Sequence, residues 1–238
     1  MKPSFAAYTI AFGLVVSTLD MPGLALKIAG FNPPSWVFSI MFFGCNIAGY
    51  ALIFLGTQAL RKDSEFFRSA YVTALLLIAG WVLVMIYGAG LNFLTTGRNP
   101  MLIAFPLVIL ITLDWFLVYV ICRGVRVEAS HARAEAVQWV EWFSTHMMMR
   151  HEEHAQNEEK FSVLEQQASK MWFIYLAMQA VFVPAEFYLW SYLKRWEFVW
   201  TALLVSVLHI IPAIALGYFI FRVGQLLDGV DAPKPITV

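Results

Sequence analysis

The sequence predicts an all-α polytopic membrane protein: a bundle of six transmembrane helices with a cytoplasmic helical extension between spans four and five. Three observations predict it. The 238 residues are 60% apolar and only 13% charged, with 20 Phe and 9 Trp and a mean hydropathy of +0.68. Soluble domains carry roughly 25% charged residues, so lipid rather than water must cover much of this exterior. The chain also divides into six apolar runs, each near the ~20 residues needed to cross ~30 Å of hydrocarbon. Finally, one long polar interruption, residues 123–170, holds four of the five histidines and 14 of the 32 charged side chains.

The spans are expected at 5–28, 36–60, 70–91, 101–123, 168–192 and 198–222. Four regions follow: 1–123 with spans one to four, 124–167 as the cytoplasmic helical segment, 168–223 with spans five and six, and 224–238 as a flexible tail. The first run has a basic start at Lys2 and small residues near Gly23 and Ala25, as a signal peptide does, but it is read as a true first span. Asn32-Pro33-Pro34 closes the first loop, and Thr95-Thr96-Gly97 with Asn99-Pro100 closes the third. Small residues recur four apart at Gly44/Ala48, Cys45/Gly49, Ala70/Ala74 and Ala213/Gly217, a spacing that lets helix backbones approach closely.

Orientation follows from the placement of Lys and Arg. With the N-terminus inside, twelve of the 16 lie in cytoplasmic segments and four (Lys27, Arg98, Lys194, Arg195) lie outside. Both termini and the polar segment are therefore expected in the cytoplasm. Trp36, Trp190, Tyr192, Trp196 and Trp200 suit an outer aromatic belt.

Within 126–165 a series of helices is expected, one of them starting at Asn157, whose amide followed by Glu158 and Glu159 suits a helix N-terminus. Trp139, Val140, Trp142, Phe143 and Met147 form an apolar stripe at helical spacing. Such a stripe needs a cover, and the expected one is a sister subunit or another membrane subunit. The acidic neighbours Glu135 and Glu141 disfavour an anionic lipid surface. His151, His154 and Glu158 share one helix face and are candidate ligands for a divalent transition metal. The competing reading is a solvated charged face with Glu152, Glu153, Glu159 and Lys160.

An ionisable side chain in the bilayer interior costs about 2.5–3.5 kcal/mol and normally faces a partner or water. Asp114 and His209 are expected near mid-depth with Asn46, and Asp20 and Glu186 in the outer third. Together these five define a candidate intramembrane polar path. The alternative is a set of structural hydrogen bonds, with Asp20 and Glu186 reaching the interface. Pro184 and Pro212 add kinks beside them.

Several classes are disfavoured. Zero net charge lacks the basic footprint of nucleic-acid binding. Cys45 and Cys122 both lie in apolar runs, which does not resemble a disulfide framework. His209 is the one intramembrane histidine, so an intrachain b-type haem with two axial histidines is not expected. The second span holds neither His nor Asp, and the fifth has Glu186 as its one acid. The chain therefore does not resemble the cation diffusion facilitators despite its histidine-bearing fourth connection. His151-Glu152-Glu153-His154 is one residue short of a zinc-protease pattern. The functional expectation is an oligomeric ion, proton or small-solute conduit. The alternative is a non-catalytic assembly subunit docking through its cytoplasmic helix.

Overall fold

The computed structural model describes residues 3–19, 43–61, 64–90, 101–146, 151–191 and 199–228. Among these residues the chain is all-helical, with α1 Pro3–Ser17, α2 Cys45–Leu60, α3 Glu65–Gly90, α4 Met101–His146, α5 His151–Ser191 and α6 Val199–Asp228. Three stretches, Glu65–Ile86, Pro106–Ala134 and Leu208–Leu227, are long and apolar enough to cross a membrane, while Ser4–Ser17 and Cys45–Leu60 are shorter apolar helices. Leu83 (66% exposed) and Val181 (65%) head a set of outward-facing apolar side chains that includes Phe173, Ile86 and Tyr218. Soluble monomers rarely expose apolar surface on that scale. The surface therefore fits a membrane-embedded protein.

Each helix packs on its neighbours in sequence, and α1 closes the ring against α6, with α4 also touching α6. Neighbours run antiparallel. Gly13 meets Gly49 while Ala6 meets Gly56, Gly80 meets Leu110 while Phe67 meets Gly124, and Ala11 meets Gly217. Phe54 stacks on Tyr71 at 4.4 Å while Phe43 approaches Trp81 at 6.3 Å, and Tyr8 reaches Phe221 at 6.0 Å. The start of α1, the end of α2, the start of α3 and the end of α6 therefore share one end of the bundle. Among the described residues every Lys and Arg (Arg61, Arg68, Arg123, Arg126, Arg133, Lys160, Lys170, Arg222) lies at or beyond that end, hereafter the charged end.

The local reasons are readable. Pro3 opens α1, where its missing N–H costs nothing. At α3 the Arg68 N–H donates to the Ser64 carbonyl at 3.1 Å, and Glu65 favours the positive end of the helix. Helix α4, with 46 residues, is about 69 Å long at ~1.5 Å per residue, far beyond a ~30 Å core. The expected boundaries at 123/124 and 167/168 fall inside α4 and α5, so both helices run through them without a break. One correction concerns Asn157. It lies inside α5, which begins six residues earlier at His151, because Glu152, Glu153, Ala155 and Gln156 are all good helix formers and need no new start. The two long helices pack as a hairpin through Val125, Ala129, Ala132, Phe161, Leu164 and Ala168. At its base Glu165 binds Arg126 at 3.3 Å and Arg133 at 3.9 Å.

A candidate buried polar centre

In a helix bundle surrounded by hydrocarbon, a polar side chain must find its partner inside the protein. The buried hydroxyls mostly do so locally. Thr57 donates to the Ile53 carbonyl, Thr73 to Ser69, Ser17 to Leu14 and Thr18 to Val15, all at 2.8–2.9 Å. These bonds stay within one helix and, apart from the Glu165 ion pairs at the charged end, leave the polar contacts between helices to a different set.

That set converges on Asp114 of α4. The Tyr50 hydroxyl of α2 donates to Asp114 Oδ1 at 2.9 Å, and the Tyr175 hydroxyl of α5 donates to Oδ2 at 3.1 Å. Both carboxyl oxygens are thus held from different helices. Gln179, one turn past Tyr175 on the same face, lies within reach of the Tyr175 hydroxyl. Its Nε2 is 3.5 Å from His209 Nε2 on α6, a long contact at the limit of hydrogen bonding. His209 also tilts against the Phe182 ring at 6.4 Å. Four helices therefore supply one continuous polar group, and Gln179 (3% exposed) and His209 (7%) are buried in it. Pro212, four residues on from Leu208, frees that carbonyl beside His209.

Of the five residues of the expected path, the structure brings Asp114 and His209 into one cluster. It buries Asn46 one turn from Tyr50 on α2. Asp20 lies outside the described residues, and so does the side chain of Glu186, whose backbone is in α5. The side chains of His151, His154 and Glu158 likewise lie outside them, as do those of Trp139, Val140, Trp142 and Phe143 and the whole of Met147. Among the described residues no group of three or more His, Cys, Asp or Glu gathers as a metal site.

Sequence reasoning missed Tyr50, Tyr175 and Gln179. Gln179 carried a signal, as an uncharged amide in the middle of the expected fifth span. The tyrosines carried little, since an amphipathic ring in a span is ordinarily packing or interface. Fold and centre together define an all-helical membrane protein with a polar core shared by four helices. Comparison with known protein families, with curated proteins and with solved structures gives no match, so the functional reading stands on this centre.

Proposed function

We propose that this protein is a six-span membrane conduit that moves protons, or a small solute exchanging with protons, through the centre of its bundle as an oligomer. The observation that carries the reading is the part-buried Asp114 carboxyl, held between helices by Tyr50 and Tyr175 and neighboured by the buried Gln179 and His209. Intramembrane acids facing a bundle interior are functional sites by default. A proton suits the donor set. Two hydroxyls already point at the carboxyl oxygens, whereas a hard metal cation needs several oxygen acceptors turned toward it.

The crowding of Lys and Arg at one end supports an orientation with that end, both termini and the α4–α5 hairpin in the cytoplasm. A second reading, an assembly subunit, is supported by α4 continuing as one helix to His146. The Trp139–Phe143 part of the expected stripe falls on that continuation.

The test is proton flux into reconstituted vesicles followed with an internal pH dye. Asp114→Asn, which keeps shape and removes the ionisable group, is expected to cut flux at least tenfold. Glu186→Gln is expected to reduce its pH dependence. Wild-type vesicles that carry neither protons nor any solute in a broad screen would overturn the conduit reading in favour of the subunit.

A further inference from the structure

Arg123 follows Asp114 on α4 and, at ~100° per residue, lies about half a turn round the helix from it. It shares its face with Thr112, Phe116 and Ser130, all exposed, so it looks out of the bundle and away from the polar centre. Its height is set by α3. Gly124 has no Cβ, and the Phe67 ring comes within 3.0 Å of where one would stand. That close approach seats the first turn of α3 on α4 and brings Phe66 to Arg123, whose guanidinium carbon is 5.8 Å from the Phe66 ring centre. Arg123 is therefore level with the connection between α2 and α3. The free backbone groups of a connection need water or headgroups, so the hydrocarbon ends at about this height.

The guanidinium is held by aromatic rings. Tyr119, one turn nearer the hydrocarbon, places its ring centre 5.8 Å from it. Tyr119 is itself flanked by Phe116 at 6.4 Å and by Trp172 of α5 at 5.1 Å. Rings attract a cation, but a guanidinium is all donor and its N–H groups still need acceptors. Among the described residues the Arg123 Nε has no hydrogen-bond partner, and Glu165 is shared by Arg126 and Arg133. In this region Arg123, Arg126, Arg133 and Lys170 outnumber Glu128 and Glu165, so the surplus charge is positive. A surplus cation on the outer face at headgroup height is complementary to a lipid phosphate, an anion whose oxygens match the guanidinium fork.

We propose that Arg123, held between Phe66 and Tyr119, binds the phosphate of an anionic phospholipid in the leaflet at the charged end, with Phe116, Tyr119 and Trp172 along its glycerol and first acyl carbons. Arg126, one turn further on and hydrogen-bonded to Ser169 at 3.4 Å, adds positive charge beside the seam of α4 and α5. The site stands whether or not the bundle conducts.

The experiment uses the full chain, purified in neutral detergent and stripped of lipid. Phosphatidylglycerol and phosphatidylcholine of the same acyl chains are titrated in separately, and retained lipid is counted by native mass spectrometry. Wild type is expected to keep one phosphatidylglycerol about fivefold more tightly than phosphatidylcholine. Arg123→Gln is expected to abolish that preference. Arg61→Gln removes the same charge at the same end, from over the Tyr71 ring at 4.8 Å, and should leave the preference intact. Tyr119→Leu keeps every charge, removes one ring and should weaken retention, which decides the matter if Arg123→Gln does not fold. In parallel, phosphatidylglycerol should raise the melting temperature of wild type and inorganic phosphate alone should not. Equal retention of the two lipids by wild type, an undiminished preference in the Arg123 and Tyr119 variants, or a loss just as large in Arg61→Gln overturns the site. Equal protection by inorganic phosphate overturns its assignment to a lipid.

Discussion

Gly49→Ala tests whether the polar centre depends on the close approach of α1 and α2. A Cβ at Gly49 would stand 2.5 Å from the Ser17 nitrogen, 2.7 Å from the Gly13 oxygen and 2.7 Å from the Ser17 Cα. All three are backbone atoms, so no rotamer change relieves the contact. Comfortable separations begin near ~3.5 Å, and the helices must part by about 1 Å. That opening runs along Ile10, Leu14 and Ile53, which are almost fully enclosed, and it pulls on the neighbouring Tyr50–Asp114 bond of 2.9 Å. Overpacking costs about 1–3 kcal/mol, and rigid backbone places this case near the top. The helix-propensity gain of Ala over Gly returns about 1 kcal/mol, leaving roughly 2 kcal/mol of destabilisation, or about 4–8 °C in Tm for a chain of this size.

Thermal melting in detergent, followed by the emission of the nine tryptophans, measures the shift. Gly80→Ala is the control. Its Cβ would meet Leu110 Cδ2 at 2.5 Å, the end of a side chain that can turn aside, so that variant should melt at or slightly above wild type. A Gly49→Ala protein as stable as Gly80→Ala would refute the claim that these backbones meet.

Other expectations concern the site and the hairpin. Tyr50→Phe and Tyr175→Phe should each cost about 0.6–2 kcal/mol by removing one interhelical hydroxyl, with non-additive losses in a cycle with Asp114→Asn; strict additivity would show that the carboxyl does not bind them. A cycle of Arg126→Ala with Glu165→Gln should give only about 0.5–1 kcal/mol of coupling, since the two side chains are 41% and 24% exposed, and that coupling should shrink in high salt. Trp142→Ser with Phe143→Ser should reduce particle size in detergent while leaving the spans inserted; an unchanged oligomer with weaker vesicle-surface contact would assign the stripe to the membrane instead.

Hydropathy alone determined the class of this protein. The energy of burying an unpaired backbone in lipid leaves few alternatives to apolar helices, and a deficit of charge is visible in any composition. Asp114 and His209 stood out for the same reason, because an ionisable group among Leu, Val and Phe carries a cost that must be met. Sequence also marked Gly49, Ala70, Ala74, Ala213 and Gly217 as small residues at contact spacing, and all five are buried. Ala48 fits the same pattern and is exposed, while Gly13 and Gly56, unpaired in the pattern, make two of the tightest approaches.

Spacing fixes a face but not which neighbour it meets, and that was settled only by the ring of helices and its register. The register likewise selected Tyr50 and Tyr175 from nine tyrosines, because a hydroxyl matters only where an acceptor lies within ~3 Å.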